Sequence, residues 1–543
     1  FHSVRDLHTN YLLPAPFAGV LAYLPFRVEA CIENGKRAYI VGGVATGFSH
    51  PTFKPGVTII YWNGTPIARA VEHAADRHAG SNLEARHSRG LAGLTARPLI
   101  IAPPPDEEWV IVRYRTQSGA SHELRFDWLV TGLPSAPGGA GGTGAAHLEG
   151  VDLETQLIQD ARRLLFAPQT EGRSARMAEA ADPLSLVSGL ESTMPSVFAA
   201  RQVATSHGTF GHIRIWTFSA DPDAFVAEFI RLAGLLPQTG LIVDVRDNGG
   251  GVILAGEQLL QVLTPRAIEP ERVQFINTPL TLRLCELHPG PGGIDLSPWL
   301  PSIRRSVETG AVYSASHPIT PPERCNDIGQ RYQGPVVLIT DALCYSTTDI
   351  FAAGFQDHGI GPILGVDGNT GAGGANVWTH GLLEDLFSQG FPPKPVPDSP
   401  FKALPKGANM RVAIRRTLRV GPNAGAEVED LGVTPDHRHQ MTRADVLNGN
   451  VDLMERAASL LAGQPVFTLA FTATPQPGGA LQVSVSYDHL DRLDFYVDGR
   501  PQASKTVDPQ AHAANVALPV TGAAVRIDGY RNGGLVASRR ELI

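Results

Sequence analysis

The chain has 543 residues, enough for three or four domains, and its hydrophobic (43%) and charged (18%) fractions are those of an ordinary globular protein. Its net charge of -8 argues against a nucleic acid or an anionic membrane as partner. Four scattered cysteines are too few for a disulfide framework or a structural zinc site, and no run is apolar and long enough for a transmembrane helix.

Residues 1–30 have the character of a truncated N-terminal segment. The chain starts at Phe1 without a signal-like stretch, so we expect a fragment or a mature form, and a secreted or periplasmic location is favoured. The run VRDLH fits the end of a helix, and TNYLLP and GVLAYLPFRVEA predict strands. His8 lies at their junction; a lone histidine is more often structural than catalytic, unless its partners make it a base.

Residues 31–130 predict a small separate module. Strand patterns occur at 38–41, 56–61, 108–115 and 122–130, and a helix is expected at 66–78. The next segment, 131–204, begins with a Gly/Ala/Pro-rich stretch, 131–150, which we expect to be a mobile linker. It continues with a helix at 152–165 and a loop-rich stretch at 166–200.

Residues 205–462 alternate between strand and helix, which predicts an α/β domain built on crossover units. The expected strands are 211–218, 240–245, 336–339, 362–366 and 410–420, and the expected helices are 223–235, 252–263, 347–356 and 443–462. Residues 264–333 are irregular and 381–408 resemble a loop-rich insertion. Residues 465–543 alternate apolar and polar positions around Asp498-Gly499 and Asn532-Gly533, which predicts an immunoglobulin- or fibronectin-like β-sandwich with a docking or spacing role.

The first chemical motif is GPVVLITDALCYSTTDIFAAGFQDHG, residues 334–359. It predicts a buried strand, a short turn and a helix with Ser346 at the junction, where free N–H groups and the helix dipole favour a serine nucleophile. The alternative is a capping box, with Ser346 as N-cap and Asp349 reaching back. Cys344 is a second candidate nucleophile, but its place inside the turn favours a small packed residue.

Two further motifs are informative only in combination. GLIVDVRDNGGG, residues 240–251, follows a buried strand, and its glycines allow close backbone approach to a ligand; a phosphate-binding turn and a simple tight turn are the alternatives. EVEDLGVTPD places Glu427, Glu429 and Asp430 just after a strand, where acidic residues are usually only solvated.

The three motifs, in this order over about residues 205–440, resemble the tail-specific (carboxy-terminal processing) serine protease superfamily. FKPGVTIIYWNGTPI resembles the strand-turn-helix of PDZ-like modules. The resemblance implies a ClpP/crotonase-like β-α superhelical protease core with an inserted PDZ-like module. It implies a serine peptidase that acts on a peptide or unfolded protein substrate, with no cofactor and no metal. A homodimer is retained as an open oligomeric state.

Many members of this superfamily use a serine–lysine dyad, and here the sequence departs from that pattern. Gly371 stands at the lysine place, and no lysine occurs between Lys54 and Lys394. The pattern is closer to the branch of tricorn protease and the chlamydial protease-like activity factor, which uses Ser, His and Glu.

Under that resemblance, Ser346 is the nucleophile, His8 the base and Glu429 the group that orients the imidazole. The oxyanion hole would be formed by Gly249, Gly250, Gly251 and Thr347. His207 is the alternative base and His50 a third. Two other functions stay open: a catalytically silent relative that binds peptides or apolar ligands, and a non-peptide acyl hydrolase.

Overall fold

The computed structural model describes residues 4–132, 152–180, 189–290, 294–389 and 394–543. Across these ranges, none of the helices combines the length and the apolar character needed to cross a membrane. Most of the predicted linker, from residue 133 onward, lies outside the described residues.

The N-terminal part forms two sheets and two helices. Its strands are β1 (Asn10–Leu12), β2 (Val20–Tyr23), β3 (Phe26–Glu33), β4 (Lys36–Val44), β5 (Thr58–Trp62), β6 (Thr65–Pro66), β7 (Ala96–Pro98), β8 (Trp109–Arg115), β9 (Ser121–Asp127) and β10 (Leu129–Gly132); its helices are α1 (Ile67–Ala75) and α2 (Leu83–Gly93). The order β3-β4-β5-β8-β9, with β6 on β5, forms the main sheet of what we call the first module, residues 26–127. A smaller sheet has the order β10-β2-β7.

The predicted strands of the first module are confirmed, except that the strand expected at 122–130 is two strands, β9 and β10, which belong to different sheets. Strand β3 crosses the expected boundary between residues 30 and 31. Helix α2 was not predicted, because its ARHSRG sequence lacks a clear apolar stripe. In the run VRDLH, Val4 is in a 3-10 helix that ends before Arg5 (φ 65°), Leu7 and His8 form a turn, and strand β1 begins at Asn10.

The core begins earlier than expected. Helix α3 (Leu153–Ala180) is longer than the predicted 152–165, so 166–180 is helical rather than loop. The core strands are β11 (Gly189–Leu190), β12 (Phe198–Thr205), β13 (Gly208–Ile215), β14 (Leu241–Asp244), β15 (Arg272–Phe275), β16 (His317–Pro318), β17 (Val336–Thr340), β18 (Ile363–Gly365), β19 (Ala375–Thr379), β20 (Ser388–Gln389), β21 (Lys394–Pro395), β22 (Asn409–Leu418) and β23 (His437–Arg438). The core helices are α4 (Pro222–Leu235), α5 (Ile253–Leu263), α6 (Pro279–Leu287), α7 (Leu300–Thr309), α8 (Thr347–Asp357), α9 (His380–Leu386), α10 (Arg443–Leu447) and α11 (Val451–Ala462).

A seven-stranded sheet organises the core, in the order β11-β12-β13-β14-β17-β18-β23, and β13 to β23 run parallel. Its central strands β14 and β17 are apolar up to their last residues, Asp244 and Thr340, because both faces are covered. Leu241 and Leu338 pack into the cluster that includes α4, α5 and α8. Ile242 and Val337 point to the other face, against α11.

A second core sheet has the order β1-β22-β15-β16, with β19 also on β22. It buries one face against α6, α7 and α9. The stretches 264–333 and 381–408, which were expected to be irregular, therefore contain short strands and helices that belong to this second sheet and its covering helices. The single helix expected at 443–462 is two helices, because Gly449 (φ 71°) and Asn450 (φ 64°) adopt left-handed conformations between them.

The C-terminal part is the predicted antiparallel sandwich. Its strands are β24 (Thr468–Gln476), β25 (Ala480–Asp488), β26 (Arg492–Val497), β27 (Arg500–Thr506), β28 (Ala513–Leu518), β29 (Ala524–Arg531) and β30 (Gly534–Leu542). They form two sheets, β24-β25-β28 and β27-β26-β29-β30, around one apolar core. The sandwich docks on the loop before β17, where the Ser538 N–H donates to Gln330 (2.9 Å) and the Leu469 N–H donates to Gln333 (2.8 Å).

Candidate active site

Ser346 lies on a sharp turn between β17 and α8. The Asp341 carboxylate, at the end of β17, accepts the N–H groups of Leu343 (3.0 Å) and Cys344 (2.9 Å) and so bends the chain. Ser346 then adopts φ 58° and ψ -121°, a conformation that costs a non-glycine residue free energy. Strand, strained serine and helix in succession are the geometry of a nucleophile elbow.

The capping-box interpretation is only half realised. The Asp349 carboxylate is directed back towards the Ser346 N–H, as in a capping box, while its hydrogen bonds are to the N–H groups of Ala372 (3.3 Å) and Gly373 (2.8 Å). The Ser346 side chain, however, makes no capping hydrogen bond, and its Oγ is fully buried without a partner. The hydroxyl is therefore not used to hold the helix, and it remains available for chemistry.

Cys344 is a packed residue, as its position inside the turn predicted. Its thiol is completely buried and donates to the Val245 carbonyl at 3.1 Å. Burial, followed by the nearby Asp341 carboxylate, raises the pKa of the Cys344 thiol well above its ordinary value. A thiol of this kind is a poor nucleophile.

The glycine-rich turn after β14 lies directly beside the serine turn. The Tyr345 N–H donates to the Asn248 carbonyl (3.1 Å), and the Thr347 hydroxyl donates to the Gly251 carbonyl (2.7 Å). Gly251 has φ 147°, and a Cβ there would lie 2.2 Å from the Phe218 carbonyl carbon, so only glycine fits. The Gly250 N–H already donates to the Asn248 side chain (2.9 Å), unlike the role expected for it in an oxyanion hole.

Gly249 is tied to the first module. The Asp152 N–H donates to the Gly249 carbonyl (2.7 Å), and the Asp152 carboxylate forms a buried ion pair with Arg89 of α2 (2.5 Å). The Arg89 guanidinium also lies over the Tyr345 ring, 5.5 Å from its centroid. One arginine of the first module thus supports both turns of the site.

The structure brings His8 to the serine turn. The centroids of the His8 and Tyr345 rings are 4.6 Å apart, and Tyr345 immediately precedes Ser346. The imidazole is fully buried, and neither ring nitrogen has a hydrogen-bond partner. A ring nitrogen of His8 lies within 4.8 Å of a carboxylate oxygen of Glu429, and the same holds for Asp6.

Backbone pairing explains why His8 and Glu429 meet. Strand β1, two residues after His8, pairs with the start of β22 through Asn10 and Arg411. After β22 the chain turns back, and Glu427 forms an antiparallel bridge with Leu418 at the far end of that strand. Glu429, two residues later, therefore lies further back along β22, towards β1. Asp6, which the sequence analysis did not single out, accepts the His8 backbone N–H at 2.8 Å and shapes this turn.

The electrostatics around His8 favour a neutral ring. Burial, and then the positive charges of Arg411 and Arg89, lower the pKa of His8 well below its ordinary value. A neutral imidazole can accept a proton, so the ring is in the state that a general base requires.

The other candidate residues have different surroundings. Glu427 pairs with Arg416, and Asp430 is exposed. His207 is exposed in the β12–β13 hairpin, before the N-terminal end of β13, whereas the serine and glycine turns follow the C-terminal ends of parallel strands. His50 accepts the N–H groups of Thr52 and Phe53, which is a structural role.

The loop that would carry a dyad lysine is packed against the serine turn. The Gly371 N–H donates to the Cys344 carbonyl (2.7 Å), and a Cβ at Gly371 would lie 2.6 Å from that oxygen. Asp349 accepts the N–H of Gly373 (2.8 Å), and burial raises the pKa of Asp349 to about 7. A side chain at position 371, where many members of the superfamily carry the dyad lysine, would therefore collide with the Cys344 carbonyl.

Together these groups are suited to acyl transfer: an unbonded serine hydroxyl, a neutral imidazole, nearby carboxylates and backbone N–H groups at a helix start. Ser346 and His8 are fully buried. A substrate therefore reaches the hydroxyl only after one of the segments that cover it moves.

Residues 209–438 match the model of peptidase family S41, and residues 21–136 match that of a PDZ domain. Among solved structures, mature CPAF has a TM-score of 0.56 at 18% identity, with 85% of this chain and 86% of that chain covered. Mature CPAF complexed with lactacystin has a TM-score of 0.55 at 18% identity, covering 84% and 86%. At these identities the likeness shows the fold alone. No curated protein matches the sequence significantly.

Proposed function

Since the chain is a serine-type peptidase of the tail-specific protease superfamily, with an S41 domain and a PDZ domain, we propose that it is an endopeptidase that uses His8, Ser346 and Glu429 as a triad. Its substrate would be a peptide or an unfolded protein, because an extended chain can enter a site that a folded protein cannot.

One observation carries this proposal: the Ser346 hydroxyl is buried and unbonded on a strained turn, one residue from the ring that contacts His8. A buried polar group without a partner costs about 1–3 kcal/mol. Such a cost at a strained position is expected where the group serves chemistry rather than packing.

The proposed reaction follows from the groups present. His8, being neutral, takes the proton from Ser346 Oγ as the oxygen attacks the peptide carbonyl carbon. Glu429 stabilises the resulting imidazolium, which donates the proton to the leaving amine. The peptide C–N bond breaks, and the acyl group stays on Ser346 as an acyl-enzyme. Water, activated by the same imidazole, then releases the acyl group.

The developing oxyanion requires N–H donors at the start of α8 and in the glycine turn. We assign this role to the N–H groups of Thr347, Gly249 and Gly251. Gly250 is left out because its N–H donates to Asn248.

A fluorophosphonate probe tests the nucleophile directly. The wild-type protein should be labelled and should cleave a fluorescently labelled, unfolded protein, whereas Ser346→Ala should do neither. Cys344→Ala is the matched control, two residues away in the same turn, and should keep both properties. Substantial turnover by Ser346→Ala would refute the assignment, and ester hydrolysis without any cleavage of unfolded protein would make the chain a non-peptide acyl hydrolase.

A further inference from the structure

Three potential metal ligands meet beside the serine turn. A carboxylate oxygen of Asp6, a ring nitrogen of His8 and a carboxylate oxygen of Glu429 all lie within 4.8 Å of one another. Asp6 and His8 belong to the N-terminal turn, and Glu429 belongs to the turn after β22. We propose that these three side chains bind a zinc-type divalent cation and that the bound cation switches the peptidase off.

The donor set favours zinc over the hard cations. Zn²⁺ accepts imidazole nitrogen together with carboxylate oxygen, and three protein ligands with water in the fourth position are a common arrangement. Mg²⁺ and Ca²⁺ prefer oxygen ligands only. One nitrogen and two carboxylates therefore match a transition metal of borderline softness.

His8 supplies the second observation that points to a ligand. Its imidazole is fully buried, and both ring nitrogens lack a hydrogen-bond partner, although one of them lies within 4.8 Å of two half-buried carboxylates. A metal ion on one nitrogen would satisfy that buried atom. Asp6 is already oriented, because its two oxygens accept the His8 backbone N–H (2.8 Å) and the Thr9 hydroxyl (2.5 Å).

The charges of the surroundings limit the affinity. The carboxylates of Asp6 and Glu429 offset the charge of a divalent ion, while the Arg411 and Arg89 guanidinium groups, whose fields reach His8, oppose it. We therefore expect reversible binding that a chelator removes, rather than a permanent structural metal.

The inhibitory half of the proposal rests on the proposed function. A metal ion on the ring nitrogen near Glu429 leaves the single proton of the neutral imidazole on the other nitrogen. That nitrogen then has no lone pair to accept the Ser346 proton, so the base is lost while the fold is unchanged. Zinc would thus act as a regulator of the site and would take no part in peptide hydrolysis.

Binding is tested without any turnover by titrating ZnCl₂ into the Ser346→Ala protein in a calorimeter. We expect one ion per chain, and an affinity reduced at least about tenfold when Asp6→Asn or His8→Ala is added. Asp430→Asn, an exposed acid next to Glu429, is the matched control and should bind like the parent. An absence of binding by Ser346→Ala, or equal binding by the Asp6→Asn and His8→Ala variants, would overturn the proposal.

Inhibition is tested separately on the active protein, with each variant compared with its own metal-free rate. ZnCl₂ should inhibit the wild type and EDTA should restore activity, and Asp6→Asn should need about tenfold more zinc for half-inhibition. Zinc binding at these residues in a chain that cleaves nothing would refute the proposed function alone. Cleavage without zinc binding would refute only the metal site.

Discussion

Ser346 combines two local costs at one residue: a backbone conformation in the left-handed region and a buried hydroxyl without a hydrogen-bond partner. Each costs on the order of 1–3 kcal/mol. Surrounding backbone bonds hold the turn in place: the Tyr345 N–H donates to the Asn248 carbonyl (3.1 Å), and the Cys344 carbonyl accepts the Gly371 N–H (2.7 Å). Stability and activity therefore oppose each other at this position.

We expect Ser346→Ala to abolish peptidase activity and to unfold at the same temperature as the wild type or higher. The substitution keeps the backbone conformation and removes an unsatisfied buried hydroxyl. This removal should raise the free energy of unfolding by about 1 kcal/mol. Thermal unfolding followed by circular dichroism, with Thr347→Ala as the control, measures this. Thr347 donates to Gly251, so its loss should lower the unfolding temperature; a destabilised Ser346→Ala would show that the hydroxyl has a structural role.

His8→Ala should reduce kcat/KM about as much as Ser346→Ala, since the members of a triad act as a unit. His207→Ala and His50→Ala should stay near the wild-type rate, because His207 is exposed in a hairpin and His50 holds a turn of the first module. Steady-state rates on one peptide substrate decide between them. A large loss in His207→Ala with a small loss in His8→Ala would reverse the assignment.

The pH profile reports the state of His8. Because burial and the charges of Arg411 and Arg89 lower the pKa of His8, the acidic limb of kcat/KM should lie well below pH 6.5. Glu429→Gln should move that limb to still lower pH, since it removes an anion that stabilises the imidazolium, and should lower the maximal rate. Glu427→Gln is the control, because Glu427 pairs with Arg416. An unmoved profile in Glu429→Gln would make Asp6 the stronger candidate for the orienting acid.

At the scale of elements, the loop 369–374 packs closely against the serine turn, largely through backbone atoms. The loop 369–374 contributes glycines to its contact with the serine turn, and Asp349 of α8 accepts the N–H groups of Ala372 (3.3 Å) and Gly373 (2.8 Å). A Cβ on Gly373 would lie 2.0 Å from the Tyr345 ring. Glycine is required here for close approach rather than for an unusual backbone angle.

Gly373→Ala should therefore lower kcat/KM by at least about tenfold, because the methyl group displaces Tyr345, whose ring contacts His8. Gly234→Ala is the matched control: nothing lies within 4 Å of its Cβ position in helix α4, so the change should preserve activity and add about 0.5–1 kcal/mol of stability. Kinetics and thermal unfolding of both variants check this. Full activity in Gly373→Ala would show that Tyr345 does not position the base.

At the scale of the whole molecule, the core buries two acidic side chains that take no part in the proposed reaction. Glu257 of α5 and Glu271 before β15 are almost fully buried, and Glu257 accepts the Glu271 N–H at 2.9 Å. Burial raises the pKa of Glu257 to about 7. A carboxyl whose pKa is higher in the folded state stabilises the fold at low pH, and that contribution disappears as the pH rises through the folded value.

The free energy of unfolding should therefore fall between about pH 4.5 and pH 7, and Glu257→Gln should flatten this dependence. At pH 8 the variant should be more stable than the wild type by up to about 3 kcal/mol, with little difference at pH 4.5. Denaturant unfolding at the two pH values measures the difference. If Glu257→Gln were less stable than the wild type at pH 8, the conclusion that burial raises the pKa of Glu257 would be wrong.

The sequence by itself determined the parts that depend on local pattern. Apolar runs such as β14 and β17 are buried on both faces, so their composition alone predicts central strands, and the glycine, serine and acidic turns follow as contiguous motifs. Alternation in residues 465–543 likewise predicts the sandwich, because each strand exposes one face.

The tertiary structure decided what depends on distant residues. Short strands such as β15 and β16 are selected by backbone pairing, which side-chain patterns do not specify. The proximity of His8 to Glu429 comes from the pairing of β1 with β22, and Asp6 enters the site only through that turn. The pKa of His8 is lowered by burial and by two arginines from separate elements, because electrostatic fields act through space rather than along the chain.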